Sequence, residues 1–315
     1  MTSSTSKLHP QPKPASVEGS ELEHLVSAAT VIRRNEPMAR RTTLRVGGPA
    51  DLYVEPADET DLATVLRFCT AQKLQFFVLG RGSNVLIRDG GFRGVILCLA
   101  HASFSRVQVE GERMDCGAGA RLKTIAVEAK RHNLADLEFL EGIPGSVGGA
   151  LRMNAGAMGG AMFDVVESVR MMDLKGKVSE QFRRDLPVEY RSCSAFKTHI
   201  ALSAVLRGRT AGREAIEIRM KQFSQKRWSS QPAAPSAGCM FKNPASIPAG
   251  KLIDELGLKG TRVGGAVVSL EHGNFLINEG GATARDVLAL MELVKNRARE
   301  ERGIDLRPEV EIIGE

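Results

Sequence analysis

Aromatic side chains with polar handles are scarce in this 315-residue chain, which has one Trp and two Tyr: Trp228, Tyr53 and Tyr190. That leaves no row of platforms on which successive bases could stack. Long Lys/Arg runs are also missing, although the net charge is +6 and the pI about 9.2. Charge spread in this way argues against a nucleic-acid partner and for an anionic small molecule. The five cysteines, Cys69, Cys98, Cys116, Cys193 and Cys239, are odd in number and form no CxxC pair. A disulfide framework or zinc site is therefore not expected, nor any other metal, and a reducing compartment fits. No segment reaches the ~18–20 consecutive apolar residues of a membrane helix, so no membrane insertion is expected. Residues 1–20 lack the apolar core of a signal peptide and read as a disordered tail. These absences make the cytoplasm the expected location.

Glycine, by contrast, is plentiful at 32 residues, many of them clustered beside apolar runs. Such clusters form tight loops at strand ends and bring backbone close to a ligand. Patterning predicts a strand at 52–55 and a helix over 58–72, where Leu62, Val65, Leu66 and Cys69 share one face. Short strands at 76–79, 85–87 and 94–99 follow, so the alternation of a fully parallel sheet breaks early. A hairpin over 106–116 turns near Gly111, and Leu122, Ile125, Ala126 and Ala129 carry a helix over 122–132. Residues 141–160 read as a long loop, and 165–172 and 200–206 as strands of a second sheet. The charged segment 214–228 reads as a surface helix and the connector to the last part, with 231–238 irregular. Beyond it, strands are expected at 263–270, 275–277 and 309–313. A helix over 284–302 has Thr283 and Asp286 at capping-box spacing and Gly303 as its stop. The fold class is α+β with mixed sheets. Its expected division is a tail at 1–20, cofactor-binding subdomains at 21–100 and 101–210, and a substrate-binding domain at 211–315.

Two glycine-rich loops carry the chemistry. The first, Leu79-Gly80-Arg81-Gly82-Ser83-Asn84-Val85, lies between apolar strands. Its small residues let successive N–H groups converge on phosphate oxygens, and Ser83 and Asn84 add side-chain donors. Taken alone, it reads equally well as a hairpin turn, and without Gly-Lys-Ser/Thr it is no Walker loop. The second is Glu141-Gly142-Ile143-Pro144-Gly145-Ser146-Val147-Gly148-Gly149-Ala150, continued by Met153-Asn154-Ala155-Gly156-Ala157. It holds more glycine than a turn needs, each at an entropic cost. Backbone pressed against a planar ring or a pyrophosphate would justify that, and together the loops point to a bulky phosphate-bearing cofactor. Gly117-Ala118-Gly119 imitates the dinucleotide fingerprint, but Leu122 takes the third glycine position. A strand-to-helix turn lining the same site is the better reading. Taken singly, Arg191 reads as an ion-pair residue, Cys239 as a small buried apolar residue, Glu309 as a solvated strand end and His272 as a loop histidine.

Taken in order, these segments resemble the UDP-N-acetylenolpyruvoylglucosamine reductase family. The likeness runs from about Asn35 to the C-terminus. It includes Thr43-Leu44-Arg45-Val46-Gly47-Gly48-Pro49-Ala50, both glycine loops, Tyr190-Arg191-Ser192, the stretch 238–244, Ala249-Gly250-Lys251-Leu252-Ile253 and Pro308-Glu309-Val310. The resemblance implies a two-subdomain FAD-binding fold of the vanillyl-alcohol-oxidase/para-cresol-methylhydroxylase type, followed by an α+β substrate domain. It also implies non-covalent FAD, NADPH as reductant, and a UDP-sugar whose enolpyruvyl ether becomes the D-lactyl ether of UDP-N-acetylmuramate, a peptidoglycan precursor. Hydride would pass from flavin N5 to C3, and a protein acid would protonate C2.

Carried over residue by residue, the catalytic positions are Arg191, Cys239 and Glu309. Arg191 would hold the substrate carboxylate as charge grows on it. Cys239 would give the proton, and Glu309 would act protonated or through the network around Arg191. Gly80, Arg81, Gly82, Ser83 and Asn84 would hold FAD with Gly142, Ile143, Pro144, Gly145, Ser146, Gly148, Gly149, Asn154, Ala155 and Gly156. Lys242 and Asn243 would hold substrate oxygens or phosphates. The family commonly has serine where this chain has Cys239; a free thiol, with a pKa of about 8.5, is a competent acid. The short spacing from Arg191 to Cys239 suggests the shorter branch, without a substrate-covering tyrosine loop. A monomer is expected. A flavin oxidase on the same cofactor fold and a flavin-free nucleotide-sugar binder are the alternatives.

Overall fold

The computed structural model describes residues 19–315. Of the tail expected over 1–20, all but Gly19 and Ser20 lie outside the described residues; these two open a helix, Gly19–Leu25. A four-stranded sheet follows in the order Val31–Pro37, Pro49–Glu55, Phe92–Leu97, Phe76–Val78. Its first pair is antiparallel and the others are parallel. The helix after Pro49–Glu55 spans Glu59–Ala71, and its N-cap Asp58 accepts from the Asp61 N–H at 2.9 Å. Leu62, Val65, Leu66 and Cys69 on it are buried, as their spacing predicts.

The second sheet has five antiparallel strands in the order Val178–Phe182, Val166–Asp173, His199–Arg207, Arg113–Gly117, Val107–Glu110. One apolar core runs from Leu52 and Val95 through Ile125 and Leu151 to Val169 and Leu206, so both sheets rest on it. Two expectations change here. The loop over 141–160 contains a helix, Val147–Met153, held by the burial of Val147, Ala150 and Leu151 despite two glycines in its first turn. The charged helix, Arg213–Ser230, packs Ile216 and Met220 into the same core.

The last part is an antiparallel sheet in the order Ser236–Cys239, Phe275–Asn278, Ala266–Val268, Arg262–Val263. The strand expected over 263–270 is broken by a Gly264-Gly265 hairpin turn, which pairs Val263 with Ala266. The helix Ala284–Arg302 has the expected bounds, with a Thr283/Asp286 capping box and Gly303 at its end. Its Val287, Leu290 and Val294 share a core with Phe241, Leu252 and Val268, and Leu44, Val46 and Leu86 enter it from the N-terminal part. Two further ties join the ends of the chain. The last strand, Glu311–Ile313, lies parallel to Val85–Ile87. The Asp89 carboxylate accepts from the Ala284 and Arg285 N–H groups, both at 2.8 Å. The class is the expected α+β. Among the described residues, no helix is long and apolar enough to cross a membrane.

Candidate active site

The two glycine loops face each other across a cleft of about 1040 Å³, at the upper end of the size of small-molecule sites. A second cavity of about 610 Å³ shares its wall at Leu79, Gly80, Arg81, Ser146, Gly149 and Arg152. The first loop joins the strands Phe76–Val78 and Val85–Ile87. Gly82 there has φ +65°, and a Cβ on it would collide with the Arg41 carbonyl, so the fold itself requires glycine. Thr43 seals the contact, its hydroxyl donating to Ser236 O at 2.7 Å.

The second loop differs. At Gly142, Gly145 and Gly149 an added Cβ would meet nothing nearer than 3.6 Å, and none of the three has positive φ. Packing and backbone conformation leave room for alanine at all three, yet each lines the cleft. Bare backbone facing a cavity suits a planar ring or a pyrophosphate lying directly on it, so these residues fit a flavin nucleotide. The charge fits too. Arg41, Arg152 and Arg191 on the cleft wall are paired with Glu36 and Glu55, Glu311 and Glu309 respectively. Arg40, Arg45, Arg81 and Arg227 line the same cleft and form no ion pair among the described residues, which leaves it electropositive.

Arg191, Cys239 and Glu309, far apart in sequence, meet on this wall. Tyr190 and Arg191 form the two-residue turn of a hairpin between Val188–Glu189 and Ser192–Cys193. Arg191 occupies the left-handed region at φ +56°, where turns ordinarily place Gly or Asn. Cys239 ends the strand Ser236–Cys239, whose register shifts before it, and Gly238 at φ +74° makes the kink. A bulge of this kind re-aims the side chain that follows. Glu309 is held from both sides: its N–H donates to Met240 O at 2.8 Å, and its carbonyl accepts from Asn84 Nδ2 at 3.2 Å.

Arg191 Nε lies 3.0 Å from Glu309 Oε1, but its N–H is not aimed at the carboxylate, so this buried nitrogen has no hydrogen-bond acceptor among the described residues. Nη1 reaches Gly156 O at 3.5 Å. Burial pushes the Cys239 thiol up to about 11; Glu309 adds to the rise and Arg191 opposes it. Burial likewise raises Glu309, against the lowering pull of Arg191 and Lys242. The pair therefore holds protons to higher pH than free side chains do.

Several expected site residues stand elsewhere. Asn154 does not line the cleft: its Oδ1 accepts from Phe163 N and its Nδ2 donates to Glu189 O, each at 3.2 Å. The second bond braces the hairpin that carries Arg191. Lys242 and Asn243 are exposed and outside the cleft wall, with Asn243 Oδ1 accepting from Ala249 N at 3.0 Å. Gly148 faces the smaller cavity, and Asn84 lines the cleft while spending its amide on the Glu309 carbonyl. Gly117 and Gly119 are packing glycines whose Cβ atoms would strike the carbonyls of Phe104 and Leu99, and Gly119 also lines the smaller cavity. Sequence reasoning missed Thr43, Arg152, Arg227 and Trp228 on the cleft wall. The available signal was a lone Trp beside Arg at the end of an otherwise charged helix.

Residues 231–313 match the UDP-N-acetylenolpyruvoylglucosamine reductase C-terminal domain, and residues 50–180 match an FAD binding domain. The UDP-N-acetylenolpyruvoylglucosamine reductase of Geotalea uraniireducens is 43% identical over 284 residues, spanning 90% of this chain and 94% of its own length. The chain belongs to the UDP-N-acetylenolpyruvoylglucosamine reductase family. The reductase of Clostridium novyi is 41% identical over 286 residues, covering 90% of this chain and 92% of its own. A crystal structure of the Thermus caldophilus reductase (MurB) superposes with a TM-score of 0.79 at 37% identity, covering 90% of this chain and 99% of that one. The protein is thus an FAD enzyme: an FAD-binding unit of the expected type, followed by the family's C-terminal domain.

Proposed function

We propose that this chain reduces UDP-N-acetyl-3-O-(1-carboxyvinyl)-glucosamine to UDP-N-acetylmuramate, with NADPH as reductant. The observation that carries the reading is the meeting of Arg191, Cys239 and Glu309 on one wall of a cleft whose other walls are the two glycine loops. In this division of labour residues 21–210 hold FAD and 211–315 face the UDP-sugar, as a single-chain enzyme of the shorter family branch. Bound FAD supplies the hydride that reaches C3 of the enolpyruvyl group.

The chain's own groups handle the charge and the proton. Negative charge grows on C2 and its carboxylate as C3 is reduced. Arg191, on the cleft wall beside Glu309, meets that carboxylate with its planar guanidinium fork, a geometry suited to an anion. Cys239 gives its proton to C2. With its pKa pushed up to about 11 the thiol is neutral at pH 7 and always loaded with that proton. Burial shifts Glu309 upward against the pull of Arg191 and Lys242, which favours its neutral form and lessens its repulsion of the developing anion. The bare backbone at Gly142, Gly145 and Gly149 would exclude water from a flavin ring lying on it.

Stopped-flow flavin absorbance separates the half-reactions. Cys239→Ala is expected to accept electrons from NADPH at nearly the parent rate while its reoxidation by the enolpyruvyl substrate slows at least ~100-fold, the scale of one general acid. Cys239→Ser is expected to keep substantial activity. Parent-like turnover in Cys239→Ala would remove the thiol from the mechanism.

A further inference from the structure

The helix Arg213–Ser230 delivers its last turn to the cleft, where Arg227 and Trp228 form part of the wall beside 231–239. Trp228 is the only tryptophan, and 63% of its surface is exposed. Arg227 is half-buried, its guanidinium carbon lies 5.5 Å from the indole centroid, and it forms no ion pair among the described residues. Burial without a paired anion disfavours its charge, and only the more distant Glu141 offsets that. A cation in the last turn complements the helix dipole. That role calls for neither burial nor a neighbouring exposed indole.

We infer that Arg227 and Trp228 clamp a nucleoside diphosphate at the mouth of the cleft, the indole stacking on the base and the guanidinium fork pairing with the diphosphate. An indole face accepts any base, and the planar fork matches phosphate oxygens in a way that a lysine would not. The assignment rests on the reductase reading, in which two ligands bring a base and a diphosphate to this cleft. One is the UDP end of the sugar substrate and the other the ADP part of NADPH.

A sole tryptophan makes the test direct. Its fluorescence is followed in the holoenzyme during titration with UDP, uridine and ADP. UDP or ADP is expected to change the emission. Trp228→Ala should weaken that nucleotide about tenfold, the scale of one base stacked on an aromatic ring, and Trp228→Phe should restore most of the loss. Arg227→Gln should weaken UDP or ADP while leaving uridine unchanged. In turnover, Trp228→Ala should raise KM about tenfold for only one of the two substrates, with kcat within about twofold, and the affected substrate identifies the occupant. Unchanged KM for both substrates together with silent fluorescence overturns the clamp. A holoenzyme that never reduces the enolpyruvyl nucleotide sugar overturns the reductase reading instead, and the fluorescence titrations then still decide the clamp.

Discussion

Replacing Arg191 separates what that residue costs the fold from what it gives the site. It sits at φ +56° in the turn between Val188–Glu189 and Ser192–Cys193. The left-handed region costs an L-residue about 1–2 kcal/mol, and alanine pays that cost as arginine does. Glycine avoids it but surrenders about 0.4–1 kcal/mol through its freer unfolded chain. Arg191→Gly should therefore be more stable than Arg191→Ala by about 0.8 kcal/mol at the centre of these ranges and by about 1.6 kcal/mol at most, read by urea denaturation of the two variants side by side. Activity should fall in both. Losing one pre-organised donor to a developing anion costs about 10²–10³ in rate, here in flavin reoxidation by substrate and not in reduction by NADPH. The protonation of the wall should also respond. Arg191 lowers both Glu309 and Cys239 against burial, so both groups should titrate higher without it. If the glycine variant is no more stable than the alanine one, the turn stores no strain. If it keeps activity within tenfold of the parent, the arginine is a structural turn residue and the proposed chemistry loses its anchor.

The loop glycines divide into two kinds that behave oppositely. Gly142→Ala should fold with parent stability yet purify pale, with the ratio of flavin to protein absorbance reduced, whereas Gly82→Ala should lose stability through its collision with the Arg41 carbonyl; equal flavin loss at equal stability would erase the distinction. Asp89→Ala removes the acceptor of the Ala284 and Arg285 N–H groups and should cost about 1–2 kcal/mol in urea denaturation, the range of a lost helix cap. The alkaline limb of kcat/KM should lie near pH 11, where Cys239 loses its proton, and should vanish in Cys239→Ser. Stability follows the same group: folding holds a proton that the unfolded chain releases near the ordinary thiol pKa. The contribution is full below that value and is lost as pH rises towards about 11, which Cys239→Ser should abolish in a pH series of denaturation curves.

Local signals were legible wherever the physics is local. The capping box at Thr283 and the glycine at 303 fixed the bounds of Ala284–Arg302 because caps and stops act within one turn. The second glycine loop is legible because glycine without a turn to serve is costly, and the first only beside it, since alone it reads equally well as a hairpin turn. The helix Val147–Met153 was hidden by its own glycines, and its formation rests on burial of Val147, Ala150 and Leu151 by distant partners. Arg191 gave no turn signal, since that position ordinarily takes Gly or Asn. Sequence neighbourhood alone places Asn154, Lys242 and Asn243 among the expected ligand contacts. Their own amides and charges point to backbone or solvent, and only side-chain direction reveals that. Trp228 stands as a single exposed indole beside Arg227 on the cleft wall, which the search for a row of base-stacking platforms does not reveal.

The pairing of the last strand with Val85–Ile87 was beyond any local pattern, and it explains how the site is held. Asn84 ends the first glycine loop and begins the strand partner of Glu311–Ile313. Its carbonyl accepts from Glu311 N at 3.0 Å, and its Nδ2 donates to Glu309 O at 3.2 Å. Glu309 N in turn donates to Met240 O at 2.8 Å, one residue beyond Cys239. A continuous backbone path therefore runs from the loop proposed to hold FAD, through Glu309, to the thiol. The placement of the proposed donor relative to that loop is set by backbone hydrogen bonds and not by the packing of flexible side chains, the kind of support that keeps reacting groups aligned. The same path encloses the acids. Burial disfavours the charged forms of Cys239 and Glu309 and shifts both upward, and that burial depends on these strands remaining paired. Loosening the last strand should therefore lower the pKa of the thiol and misplace it in one step, so alignment and protonation of the proposed donor are two consequences of a single pairing.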